Sequence, residues 1–290
     1  MMKKTGILTD SHSGITQEEA KKLGIYVLPM PFYINDQCHY EGKDISREEF
    51  IELLKNDENV STSQPSPEAV MNLWDEILKE YEELVYIPIS SGLSGSCSTA
   101  MAMAQNDDYD GKVFVVDNGR VSTPMKQSVL DAIELLNEGC SAKEIKNRLE
   151  DAKGKMGIFV AVDDLKYLKK GGRISSSVAL VGGMLKVKPI LKFDIGTLDS
   201  FKNCRGLIKA KTVMIEEVKR IVTTDYAEDF EKGNVHILAA SSADEEETKK
   251  WVNEIQEAFP GIKVLWDYLP MGITCHIGPG GLGIGYSVRP

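Results

Sequence analysis

The chain has 290 residues, 42% of them hydrophobic and 27% charged, and a formal net charge of −10. That length suits one large α/β domain or two smaller ones, each with its own core. The acidic balance argues against a nucleic-acid binder, whose contact face is usually basic, and no stretch approaches the about 18 unbroken apolar residues of a membrane span.

The start, Met1-Met2-Lys3-Lys4-Thr5-Gly6, has only a short apolar run before Asp10 and does not read as a secretory signal, so a cytoplasmic protein is expected. The five cysteines, Cys38, Cys97, Cys140, Cys204 and Cys275, are dispersed without a CxxC. They suit buried free thiols in a reducing compartment.

Strand-like runs alternate with helical patterns. Gly6-Ile7-Leu8 runs into Thr9-Asp10-Ser11, and Thr16 with Glu19 then opens a helix that Gly24 stops. A second apolar run covers Tyr26 to Ile34. Ser46 with Glu49 opens the helix of Phe50, Leu53 and Leu54. Ser66-Pro67-Glu68 starts the clearest helix, with Val70, Leu73, Trp74, Ile77, Leu78 and Tyr81 on one face. Leu84 to Ile89 and Val113 to Val116 read as strands, and Ser141 with Glu144 opens a further helix. This alternation predicts a mainly parallel sheet with helices on its faces.

From Met156 the pattern loosens. Strands over Gly157 to Val162 and Val187 to Phe193, a turn at Asp194-Ile195-Gly196-Thr197 and a strand over Leu198 to Asn203 predict a hairpin in a mixed sheet. A helix over about Leu207 to Val222 precedes strands near Val235 to Ala240 and Ile262 to Trp266, with a helix between. The boundary is placed at Ala152-Lys153-Gly154-Lys155, giving α/β domains of residues 1–154 and 155–290.

Ligands of open parallel sheets bind beyond the carboxyl ends of the strands. Three such ends carry small polar groups: Thr9-Asp10-Ser11, Ser90-Ser91-Gly92-Leu93-Ser94-Gly95-Ser96, and Asp117-Asn118-Gly119. The middle loop has four serines and two glycines, with a helix expected from about Cys97. Glycine allows close backbone approach, and exposed N–H groups and hydroxyls attract anions. Ser61-Thr62-Ser63-Gln64-Pro65-Ser66 offers more hydroxyls. Spacing alone leaves open whether these are an anion site or plain capped loops.

Other motifs are weaker. Gly278-Pro279-Gly280-Gly281-Leu282-Gly283 matches GxGxxG, but too few residues follow it for a βαβ unit. Gly92-Leu93-Ser94-Gly95-Ser96 approaches a nucleophile elbow, with Ser96 where the second glycine belongs, so a serine hydrolase using Ser94 and His276 is an alternative. A phosphotransferase acting through His276 is another. Cys38-His39 and Cys275-His276 lack further metal ligands at suitable spacing. His12 and His236 read as ordinary polar or core histidines. Lys166-Tyr167-Leu168-Lys169-Lys170-Gly171-Gly172-Arg173 reads as a short helix ending in lysines and stopped by glycine, with Arg173 beyond the stop. A second basic group is Lys202, Arg205, Lys209 and Lys211.

Six segments together carry a resemblance: Thr9-Asp10-Ser11, Thr62-Ser63-Gln64-Pro65-Ser66, the loop from Ser90 to Ser96, Leu168-Lys169-Lys170-Gly171-Gly172-Arg173-Ile174-Ser175, Lys188-Pro189-Ile190, and His276-Ile277-Gly278-Pro279-Gly280. In order and spacing the chain resembles the DegV family over nearly its whole length. The resemblance implies a two-domain α/β fold with a fatty acid between the domains. It implies a FakB-type carrier subunit of bacterial fatty acid kinase, with no ATP site, cofactor or metal of its own. Thr62, Ser63, Ser94, Gly95 and His276 would hold the carboxylate; Arg173 and Arg205 would face the kinase or the phosphoryl group. Transient membrane contact is compatible with that role. Ser96-Cys97-Ser98 departs from the family's more usual Thr-Tyr-Gln-type continuation.

Overall fold

The computed structural model describes residues 3–174, 187–193, 196 and 198–290. Among the described residues it holds three sheets.

The first half begins with β1 (Lys3–Asp10), a 3-10 turn (Ser11–Ser13), α1 (Gln17–Leu23) and β2 (Tyr26–Leu28). A side excursion follows: β3 (Pro31–Ile34), β4 (Gln37–Tyr40), α2 (Arg47–Lys55) and β5 (Val60–Thr62). Then come α3 (Pro67–Leu78), β6 (Tyr81–Ile87), α4 (Ser96–Met103), β7 (Val113–Val115), α5 (Ser122–Asn137) and α6 (Ala142–Asp151). The strands β2-β1-β6-β7 form a four-stranded parallel sheet, and β4-β3-β5 a small antiparallel one.

The second half contains β8 (Met156–Ala161), α7 (Lys166–Gly171), β9 (Val187–Phe193), β10 (Asp199–Arg205), α8 (Leu207–Thr224), α9 (Ala227–Glu231), β11 (Val235–Ser241), α10 (Glu245–Ala258), β12 (Leu265–Tyr268), α11 (Met271–Ile277) and β13 (Leu282–Val288). Its sheet has the order β10-β9-β8-β13-β11-β12 and is mixed: β11 and β12 are parallel, the other pairs antiparallel. The α/β class and the split into a parallel and a mixed sheet are as the sequence implied.

Local chemistry explains the helix starts. The Ser46 and Ser141 hydroxyls accept from the Glu49 and Glu144 N–H groups, and each glutamate returns a bond to the capping residue. Ser66 accepts from Ala69 N–H at 3.1 Å with Pro67 in the first turn. Gly172 ends α7 in the left-handed region.

Two readings change and one helix is added. The run Tyr26 to Ile34 is two strands in two sheets, β2 and β3; Pro29 and Pro31 remove donors a continuous strand would need. Tyr81 does not extend the α3 face but starts β6. Helix α5 escapes the periodicity, because its buried residues include Ser122, Thr123, Lys126, Gln127, Ser128 and Asp131. The turn at 194–197 lies outside the described residues except for Gly196, as does Ser175 of the basic segment.

Two cores lie on opposite faces of the mixed sheet. Phe159, Ile190, Ile237, Ile284 and Tyr286 pack with α8 and α10 around Trp251. Val160, Leu191, Phe193 and Ala240 face the other way, toward Ile89, Val121, Met125 and Ile277. That second face looks at the carboxyl ends of the parallel sheet.

Candidate ligand-binding site

Three loops at the ends of β1, β6 and β7 are tied together by buried polar groups. Asp10 is fully buried; its Oδ1 accepts from His12 N–H at 2.9 Å and its Oδ2 from Ile89 N–H at 2.8 Å. Ser90 N–H donates to the Arg120 carbonyl at 2.9 Å. The serine loop is therefore held from both sides. The Ser94 hydroxyl lies 3.0 Å from that of Ser96 and accepts from Ser96 N–H at 3.3 Å, just where α4 begins.

Thr62 ends β5, and its Oγ1 lies 2.9 Å from Nε2 of His276 on α11. Arg173 Nε donates to the Leu93 carbonyl at 3.3 Å, drawing the basic segment onto the serine loop. Burial, with Arg173 and His12 adding to it, pushes His276 down to about 4. The imidazole is therefore neutral at pH 7.

These groups border a cavity of about 310 Å³ between the parallel sheet and the inner face of the mixed sheet. Thr62, Ser63, Ser94, Gly95, Arg173 and His276 all line it. Aliphatic and aromatic groups make most of its other walls, among them Leu93, Ile158, Val160, Phe193, Leu238 and Ile273. Its volume is within the ordinary range for a small-molecule site, with few polar groups against an apolar body.

The structure brings five of the seven candidate residues together on this cavity: Thr62, Ser63, Ser94, Gly95 and His276. Arg173 joins them on the same cavity, whereas Arg205 stands apart, exposed at the end of β10. Ser94 and His276 do not pair: Ser94 is bonded to Ser96 and His276 to Thr62, so the nucleophile–base contact of a serine hydrolase is not formed.

Sequence reasoning missed His12, Ser122 and Thr123, which also line the cavity. Ser122 has φ +55 and a buried hydroxyl without a hydrogen-bond partner among the described residues. Asp117-Asn118-Gly119 marked this third strand end, but the cavity residues lie a few positions further on. The GxGxxG stretch is the turn that leaves α11 and the first two residues of β13, Leu282 and Gly283; a Cβ on Gly278 would come within 2.2 Å of the Tyr167 ring. Cys97, Cys204 and Cys275 are buried free thiols as expected, but Cys38 is exposed. Among the described residues no helix is long and apolar enough to cross a membrane.

The model of the DegV family, described as an uncharacterised protein family, matches residues 4–289. This chain belongs to the DegV family. It is 32% identical to Protein DegV of Bacillus subtilis over 287 residues, covering 96% of this chain and 97% of that one. It is 31% identical over 283 residues to a DegV domain-containing protein of Staphylococcus aureus strain N315, covering 98% of each. Among solved structures it is similar to B. subtilis DegV, described as a fatty acid binding protein, with TM-score 0.84, 29% identity and coverage of 99% and 100%. A DegV family protein from Thermus thermophilus, described by its fatty acid binding, gives TM-score 0.84 at 28% identity, covering 98% and 99%.

Proposed function

We propose that this DegV family protein binds a long-chain fatty acid by its carboxylate at the Ser94 loop and presents it to the catalytic subunit of a fatty acid kinase. The cavity carries the reading: an apolar body with hydroxyls, an arginine and a histidine gathered at one end. A carboxylate buried without partners costs several kcal/mol, so an acyl site needs such an end. The fatty-acid-binding relatives from B. subtilis and T. thermophilus support it.

Each residue then has a role. Ser94 Oγ, Thr62 Oγ1 and the backbone N–H groups opening α4 donate to the carboxylate, and Ser63 adds a hydroxyl at the rim. Neutral His276 orients Thr62. A proton on Nε2 would be donated to Thr62 Oγ1, freeing the threonine hydroxyl hydrogen for the ligand. The tail gains about 0.8 kcal/mol per buried methylene.

The kinase subunit would bring ATP. A carboxylate oxygen attacks the γ-phosphorus, ADP leaves with the electrons of the broken P–O bond, and acyl phosphate remains. Arg173, at the mouth, balances the charge that gathers there; Arg205 and the exposed lysines beside it would meet the partner. We place the protein in the cytoplasm, with transient membrane contact for loading.

The test is reconstitution with the kinase subunit, ATP and hexadecanoate. Acyl phosphate should form only when both proteins are present. Arg173→Ala should retain the fatty acid while slowing that formation. Loss of lipid binding by Arg173→Ala would overturn its assignment, and no acyl phosphate with any candidate kinase would overturn presentation.

A further inference from the structure

Strand β13 crosses the inner wall of the cavity. Its odd positions and even positions face opposite cores. Leu282, Ile284 and Tyr286 pack on the α8 and α10 side. Gly283 and Gly285 line the cavity, as the twofold alternation of a strand requires.

Glycine inside a strand weakens it, and it persists where a turn, a backbone clash or a close ligand demands it. Neither residue has a positive φ. At Gly283 a Cβ would meet nothing nearer than the Ala240 carbonyl oxygen at 3.4 Å, an ordinary contact. Backbone geometry therefore does not explain Gly283; the empty space beside it does. At Gly285, by contrast, a Cβ would come within 2.9 Å of the Gly157 carbonyl oxygen, so the sheet itself requires that glycine.

The register places each glycine in a row across the sheet. Ala240, Gly283 and Val160 make the first row, and Leu238, Gly285 and Ile158 the second. In both, glycine is the low point between larger side chains, so the rows define a groove. The third row is polar: His236 faces Ser287, and Ser287 faces Met156. His236 Nε2 and Ser287 Oγ are buried without hydrogen-bond partners among the described residues, and His236 lies 3.6 Å from the fully buried Asp131. None of these third-row residues lines the cavity, which stops at the second row.

We propose that Gly283 is the specificity-determining residue of this site: the acyl chain lies along the groove that Gly283 and the sheet-required Gly285 leave, and the His236–Ser287 row ends it. The proposal rests on the fatty-acid reading above and adds what limits the chain. Carbons beyond the second row would press against polar groups that have already lost water and gain nothing from an alkyl tail. The site therefore has a maximum chain length.

The experiment is a binding titration of the purified protein, freed of lipid, with straight-chain saturated acids from eight to twenty carbons. Wild type should gain affinity with length and then stop gaining. Gly283→Val should lower hexadecanoate affinity by roughly 50-fold, the equivalent of the three methylenes a valine side chain displaces. Its optimum should move to shorter acids. Leu238→Ala widens the second row and should move the optimum to longer acids. Ile237→Val, on the opposite face of the neighbouring strand β11, should lower thermal stability and leave the length profile unchanged.

If wild type binds no fatty acid, the functional reading itself fails. If wild type binds but Gly283→Val and Leu238→Ala, both shown folded by circular dichroism, keep its length profile, the groove is not what selects the chain. If Gly283→Val does not fold, Leu238→Ala decides: an unmoved optimum overturns the proposal.

Discussion

Gly171 lies against the imidazole of His276: a Cβ built on it would sit 2.0 Å from Nδ1 and 2.7 Å from Cε1. The last residue of α7 is thus shaped by a side chain from α11, a hundred residues on in the chain. This packing sets the ring whose Nε2 faces Thr62. Gly171→Ala should push the ring away. Small-to-large changes in packed sites cost about 1–3 kcal/mol, and the Thr62 contact should be lost with it. Thermal melting and fatty-acid titration should both shift; a variant unchanged in both would refute the packing argument.

Ser94→Ala tests the carboxylate end. A hydrogen bond to a charged group contributes roughly 1.5–3 kcal/mol, so affinity for hexadecanoate should fall about 10- to 100-fold. Circular dichroism should show an intact fold, since the bond to Ser96 is local. Unchanged affinity would remove Ser94 from the site.

Glu41 and His276 respond to pH in opposite senses. Burial raises Glu41 from 4.5 to about 7, against the opposing bond from Met271 N–H and the charge of His12. A carboxyl raised on folding contributes stability that is fully present below 4.5 and is lost as pH rises through about 7. His276 is lowered from 6.5 to about 4, so its contribution is full above 6.5 and is lost as pH falls through about 4. Between pH 4.5 and 6.5 the two slopes oppose. Glu41→Gln should expose the His276 slope: its Tm should climb more steeply than wild type over that range. Parallel Tm profiles would contradict the assignment.

The Arg120–Asp131 pair, 3.8 Å apart and fully buried, lies beneath the third strand-end loop. Removing one member of a buried ion pair strands the other and costs about 3–5 kcal/mol. Asp131→Ala should destabilise the protein by that amount in urea unfolding, while Arg120→Met should cost less, because the Asp131 left behind keeps its bond from Gln127 at 2.8 Å and its carboxyl, already raised by burial, can take up a proton. Equal losses would show that packing, not charge, dominates there.

How much of this could be read beforehand follows from the kind of signal each part leaves. Ser66-Pro67, Ser46 with Glu49 and Ser141 with Glu144 are local chemistry, and the helices begin where they predict. The serine loop stands out as a candidate anion site because its donors are adjacent in sequence, although spacing alone leaves a plain capped loop open. Helix α5 left a weaker signal, because it buries Ser122, Thr123, Lys126, Gln127, Ser128 and Asp131 beside an apolar stripe of only Met125, Val129, Ala132 and Leu135. His12 joins the site only through the fold, since Asp10 fixes it from β1. The cavity walls come from strands of both halves, and no single segment carries their pattern. Gly283 was visible only as part of a GxGxxG match, and its neighbours across the sheet give it meaning.

Mass spectrometry of an organic extract of the purified protein tests most directly whether the cavity holds a fatty acid. A straight-chain fatty acid at near one equivalent is expected in wild type, depleted in Ser94→Ala. An extract with no fatty acid, together with failure of added hexadecanoate to bind the lipid-free protein, would contradict fatty-acid binding.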